Sequence, residues 1–167
     1  MTEKQAGKKE RYLALADEFR GIIAKVCSIY ANAQMPFADL YQEVMINLWS
    51  GIDTFRGEAK PSTWIYRLAL NTCISIHRKN RNYQLNIVPI APEFDAPDQT
   101  DNRSADVAFL YGLIAQLDPI DKALITLWLD EKSYDEISAI MGMSKTNVAT
   151  RLARAKQKLS KMASEQE

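Results

Sequence analysis

Apolar residues recur at helical spacing along most of the chain. Leu15, Phe19, Ile22, Ile23, Val26, Ile29 and Tyr30 share one face and predict a long amphipathic helix over residues 10–33. Pro36 breaks that pattern. Leu40, Tyr41, Val44, Met45, Leu48 and Trp49 then form the inner stripe of a second helix over 38–50. Residues 51–61 read as a loop punctuated by Gly51, Gly57 and Pro61. A third long helix opens at Ser62 or Thr63, both suited to capping, and runs to about 81. Its inward positions are Trp64, Ile65, Leu68, Ala69, Thr72, Cys73 and Ile76, which makes Trp64 a core residue rather than a stacking platform. Periodicity stops over 84–106, where Pro89, Pro92 and Pro97 stand among Glu93, Asp95, Asp98, Asp101 and Asp106. Such a stretch is uncommon inside a compact domain and is expected to be a tether.

Beyond the tether, residues 107–117 form one predicted helix. Asp118 as N-cap and Pro119 at the first helical position open another, carrying Leu124, Leu127 and Trp128 and ending near 130. Ser133 and Glu136 stand in capping-box register before Ile137, Ile140 and Met141. Gly142 supplies a left-handed turn, and Ser144 caps a last helix whose inner stripe is Val148, Leu152, Ala155 and Leu159. No strand pattern or internal repeat interrupts the helices. The expected fold is all-α: an N-terminal helical bundle and a C-terminal helix-turn-helix joined by a flexible acidic linker, with boundaries at 1–83, 84–106 and 107–167.

Composition excludes several classes. No apolar run approaches the roughly 20 residues of a membrane span, and the first residues lack the apolar stretch of a secretory leader. Cys27 and Cys73 are far apart in sequence and His77 is the single histidine, so neither a disulfide nor a metal site is indicated. With no phosphate-binding Gly loop, an enzyme is not expected, nor is any cofactor; a reducing cytoplasm fits best. The zero net charge argues at first against nucleic acid, but its distribution reverses that. Residues 1–85 hold twelve Lys and Arg against eight acids, 86–130 hold two against eight, and 131–167 hold seven against five. Residues 144–161 contain no acid at all.

The last helix therefore divides its work. Its apolar side docks on the scaffold, while Lys145, Thr146, Asn147, Thr150, Arg151, Arg154 and Lys158 face outward. A helix in the major groove needs that division, with polar residues for base edges and cations for phosphates. On the third helix Arg67, Asn71, Ser75 and Arg78 align, with Lys79 and Arg81 beside them. An amide among cations can bond an exposed base while the backbone is held. The preceding loop adds Phe55, Arg56, Glu58 and Lys60, and the second helix leaves Asp39, Gln42, Glu43 and Asn47 off its apolar stripe.

These residues carry a resemblance. The segment from Asp39 to Val44, Leu48-Trp49, Phe55-Arg56-Gly57, the run from Thr63 to Ala69 and Asn71 resemble the second conserved region of bacterial sigma factors. The segments 133–137 and 147–156 resemble their fourth region, and the absence of a third-region domain is similar to the extracytoplasmic-function group. The resemblance implies a factor that binds core RNA polymerase and directs it to promoters. Asp39, Gln42 and Glu43 would dock on the largest subunit's clamp helices, with Asn47 on the same surface. Asn71 and the 55–62 loop would capture a base flipped from the melted −10 strand, with Phe55, Arg56, Arg67, Ser75, Arg78 and Lys79 around it. The helix-turn-helix would read the −35 duplex, the tether would lie in the RNA exit channel, and an anti-sigma partner is implied. Ala149 and Ala153 replace residues that are commonly basic and aromatic or His in the family, which thins the expected −35 contacts. A stand-alone helix-turn-helix regulator is the alternative, and it leaves the 39–81 constellation unexplained.

Overall fold

The computed structural model describes residues 1–81 and 103–166, and these form helices with no strand among them. The predicted tether at 84–106 lies almost wholly outside the described residues. The predicted first helix is instead two. α1 (Glu3–Glu18) starts earlier than its apolar pattern, because Thr2 and Gln5 form a capping box. Phe19, at φ −105°, ends it, and α2 (Arg20–Tyr30) follows at once. The break has a packing cause. α2 buries Ile23, Val26, Cys27, Ile29 and Tyr30, whereas α1 buries no residue and lies on the outside of the bundle. One straight helix could not present its stripe to both surroundings.

Asn32 turns the chain by accepting from the backbone N–H groups of Gln34 and Met35, each at 2.9 Å. α3 (Phe37–Gly51) and the short 3₁₀ turn η1 (Ile52–Thr54) lead to α4 (Pro61–Arg81). Leu40, Val44 and Leu48 of α3 pack with Ile65, Ala69, Leu70 and Cys73 of α4 and with α2. Gly51 ends α3 close against α4, where an added Cβ would lie 3.4 Å from the Trp64 ring, about ordinary contact distance. Cys27 and Cys73, distant in sequence, are both free and buried, and their thiols interact in this core. The neighbouring Cys27 thiol and burial both push the Cys73 thiol well above its ordinary range.

The second unit comprises α5 (Arg103–Ile114), α6 (Pro119–Leu129), α7 (Tyr134–Met141) and α8 (Lys145–Glu165). α5 starts and stops several residues before its predicted limits. Asp118 caps α6, accepting from the Ile120 and Asp121 N–H groups at 3.0 Å each. α6 ends through Glu131, held at φ 59°, while Lys132 N–H reaches the Leu127 carbonyl at 3.1 Å. Residues 121–127 are all buried, so α6 is the central strut of this unit.

Two tryptophans stand outside the core assigned to them. Trp49 and Trp128 keep 39% and 40% of their surface exposed. Each lies at the edge of its stripe and is covered by a cation: Lys8 Nζ is 4.6 Å from the Trp49 ring, and Lys156 Nζ is 4.0 Å from that of Trp128. Tyr12 adds an edge-on contact to Trp49 at 5.2 Å. Trp64 is partly buried against the core, as its spacing predicts. The two units share one continuous apolar cluster, in which α6 and α7 pack against α2 and α4.

Candidate nucleic-acid and polymerase interfaces

In the C-terminal unit, caps and a turn set the angle between α7 and α8. Ser133 Oγ accepts from Glu136 N–H at 3.1 Å and donates to the Glu136 carboxylate at 3.3 Å. The carboxylate thus meets the hydroxyl rather than the backbone donor of a full capping box. Gly142 turns at φ 65°, the Ser138 hydroxyl donates to the Met143 carbonyl, and Ser144 Oγ accepts from Asn147 N–H at 3.1 Å. Val148, Leu152 and Ala155 are fully buried, and Leu159 packs partly against them.

The cations of α8 do not all face outward. Arg151 donates to Asp121 Oδ1 at 3.2 Å and lies 3.6 Å from Asp118, and Lys158 donates to Asp121 Oδ2 at 3.3 Å. Asp121 is 4% exposed. A carboxylate that deep is stable only when paired, and two cations spanning two turns of α8 supply the pairing. Lys145 pairs with Asp135 at 3.1 Å, and Lys156 covers Trp128. Arg154 is exposed and makes no ion pair among the described residues, and Thr146, Asn147 and Thr150 are exposed beside it. Sequence spacing placed Arg151 and Lys158 on the outer face; the structure puts them on its margin, turned toward α6. Nothing local in α8 reports this, because the acid that draws them in is on another helix.

Asp118 shows the electrostatics of the same corner. Burial raises its pKa, but this is outweighed by the backbone N–H and side chain of Asp121, Arg151 and the Ile120 N–H, so the carboxyl sits below its ordinary value.

In the N-terminal unit, Asn71, Ser75, Arg78 and Lys79 are exposed on one side of α4. Behind them Thr72 is buried and donates to the Leu68 carbonyl at 2.7 Å. Arg67 is on the same side, but its guanidinium donates to the Ala139 carbonyl in α7. Phe55 stacks on Trp64 with centroids 4.8 Å apart, which ties the loop before α4 to the start of that helix. Gly57, at φ 74°, bends the loop so that Arg56 is left exposed. On α3, Asp39, Gln42 and Glu43 are exposed together. Asn47 instead donates to Thr72 Oγ1 at 2.9 Å, bracing α3 against α4. Ile46, 49% exposed in the middle of this acidic face, escaped notice in the sequence. Its signal was a bulky apolar residue one turn on from Gln42, facing away from the stripe.

Residues 15–83 match the model of sigma-70 region 2, and residues 110–159 match that of sigma-70 region 4. The RNA polymerase sigma factor YlaC of Bacillus subtilis is 31% identical over 129 residues, spanning 74% of this chain and 75% of its own. The chain belongs to the sigma-70 family.

It is a sigma factor of the extracytoplasmic-function group, and the ECF RNA polymerase sigma-E factor of Escherichia coli K12 is 27% identical over 172 residues, covering 92% of this chain and 86% of that one. Among solved structures, the sigma factor RpoE in complex with the anti-sigma factor NepR from Bartonella quintana superposes with TM-score 0.71 at 17% identity, over 93% of this chain and 96% of that one. CnrH in complex with the cytosolic domain of CnrY gives 0.68 at 17% identity, over 97% and 93%. The all-α fold and the role in transcription initiation expected from the residues are thus shown. Among the described residues no helix is long and apolar enough to cross a membrane.

Proposed function

We propose a division of this sigma factor's work among its residues. The α3 face of Asp39, Gln42 and Glu43 docks on core polymerase, with Ile46 as the apolar centre of the contact and Asn47 holding the helix in place. The 55–62 loop and the outer side of α4 engage the −10 strand. Asn71 reads a flipped base, Arg56, Arg67, Ser75, Arg78 and Lys79 hold the backbone, and Phe55 fixes the loop through Trp64. Extruding a base costs a few kcal/mol, and a preformed helix face surrounded by cations offsets that cost. Promoter melting belongs to this module, residues 1–83.

Residues 107–167 read the −35 duplex. Thr146, Asn147, Thr150 and Arg154 face the groove. Lys145, Arg151 and Lys158 contribute positive charge from the margin, and Arg151 and Lys158 also orient the helix. The 84–106 tether joins the modules through the RNA exit channel. The setting is the cytoplasm, and regulation by an anti-sigma partner is supported by the fold shared with a sigma factor solved with one.

One observation carries this assignment: an exposed Asn71 between cations on α4, next to an acid-bearing face of α3, within a single bundle. The test is transcription in vitro with core polymerase and a promoter library. Start sites that depend on the added protein are expected, and Asn71→Ala should impair one −10 position. A uniform loss at all promoters would remove Asn71 from base capture.

A further inference from the structure

We infer that α1 is a specificity element of this sigma factor: it holds the start of the −10 loop in place, with Arg11 and Lys8 as positioning residues. Most of α1 lies ahead of residue 15, where the match to sigma-70 region 2 begins. The helix buries no residue, so it adds little to the core. Its side chains reach instead for one short stretch of chain. The Arg11 guanidinium donates to the Ile52 carbonyl at 3.2 Å, and the Lys8 ammonium donates to the Asp53 carboxylate at 2.8 Å. Lys8 also covers the Trp49 ring at 4.6 Å, and Tyr12 meets that ring edge-on at 5.2 Å. Lys8, Arg11 and Tyr12 are spaced to share one side of a helix. The hydrogen bond from Lys8, with the charges of Lys4 and Arg11, outweighs desolvation and holds the Asp53 carboxyl below its ordinary value.

The turn that receives these contacts, η1, holds itself weakly. A single 3₁₀ turn has poor hydrogen-bond geometry, and its closing bond, from Phe55 N–H to the Ile52 carbonyl, is long at 3.4 Å. Arg11 gives the same carbonyl a second, charge-assisted donor. Ile52 is fully buried and anchors the turn from the core side, while α1 holds its polar side. The chain then passes directly to Phe55, stacked on Trp64 in the first turn of α4, and on to the exposed Arg56. The −10 loop thus starts from a point fixed by the core, by α1 and by α4. One exposed ion pair is worth little; the effect of α1 comes from three side chains acting on two consecutive residues and the ring beside them. A pocket selects one base only when its walls are held to within roughly 0.5 Å. Loosening η1 therefore costs selection at the −10 element and spares polymerase binding, which uses the α3 face.

This inference rests on the −10 role proposed for the 55–62 loop and Asn71, and the experiment keeps the two distinguishable. The full chain with core polymerase transcribes a promoter and variants substituted at each −10 position in turn, and the readout is the ratio of parent to variant yield. Arg11→Ala should lower the largest ratio by about tenfold, the equivalent of one charge-assisted hydrogen bond. Hydrogen exchange at the Phe55 amide should speed up in the same variant, with co-purification of polymerase and helicity by circular dichroism unchanged. Arg11→Lys keeps a charged donor and should recover most of the ratio. Unchanged exchange at Phe55 overturns the anchoring. Unchanged ratios overturn the specificity role, whether yield falls at every promoter or at none; a uniform fall is what a phosphate contact or a weakened fold produces. In that case Asn71→Ala on the same promoters separates the causes: a lowered ratio leaves the −10 role intact, and no change removes that role as well.

Discussion

At the scale of single residues, partners decide what a side chain is for. Arg151 and Arg154 are both on α8, three residues apart, and spacing alone gave them the same task. Asp121 separates them. Arg154→Ala should weaken promoters that use a −35 element by about 1–3 kcal/mol and leave urea stability unchanged. Arg151→Ala should instead lower stability by about 1–3 kcal/mol, because the buried Asp121 loses one of its two cations. If Arg151→Ala is fully stable but loses −35 discrimination, its role as a helix-orienting residue is wrong. On α3 the same logic picks out Ile46. Ile46→Glu should abolish co-purification with core polymerase without changing the melting temperature, since the side chain is outside the core; retained co-purification would place the docking face elsewhere. Asn47, legible in the sequence only as an off-stripe polar residue, turned out to be a brace because Thr72 is across from it on α4.

At the scale of elements, caps and turns were the best-read features, since each depends on residues within three or four positions. Ser144, Asp118 and Gly142 all do what their chemistry dictates. The left-handed turns give a paired test. Gly142→Ala, at φ 65°, should destabilise by about 1 kcal/mol. Glu131→Gly, at φ 59°, should stabilise by a smaller amount, because the greater unfolded-state freedom of glycine offsets part of the relief. Denaturant midpoints check both signs. The Asp118 cap adds a pH dependence. Its carboxyl pKa is lowered from 3.8 in the folded chain, so the stabilisation is fully present above that unfolded value and fades as pH falls through the lower folded one. Asp118→Ala should therefore cost about 1 kcal/mol at pH 7, with the gap from the parent chain closing only below the usual carboxylate range. A gap that closes between pH 7 and 5 would assign the effect to another group. The single long helix expected over 10–33 failed for the opposite reason: the local pattern is continuous, and the break at Phe19 comes from two different packing environments.

At the scale of the whole molecule, the proposed function asks two helical units, joined by the tether expected between them, to serve two promoter elements. Between the end of α4 at Arg81 and the start of α5 at Arg103 stand 21 residues, 82–102, a length whose fully extended limit is roughly 70 Å at about 3.3 Å each. Deleting half of them lowers that limit to roughly 35 Å, short of the separation of about 70 Å between the elements. Such a deletion should abolish transcription from −35-dependent promoters while polymerase still co-purifies; undiminished transcription would show that the tether does not set the reach. The sequence by itself determined the helical class, the caps of α6, α7 and α8, the stripes of both modules and the ordered motifs of a sigma factor, because all of these are written in short-range spacing and residue chemistry; the cap expected at Ser62 or Thr63 was not among them, since α4 already opens at Pro61. Tertiary structure alone decided which outward-facing side chains are free. Arg151 and Lys158 turn to Asp121, Asn47 to Thr72, Arg67 to Ala139, and Asp130 joins two modules through Lys25 and Tyr66. Those pairings span 25 or more residues. No local pattern encodes them; they arise only when packing brings a charge or an amide from one helix against its partner on another.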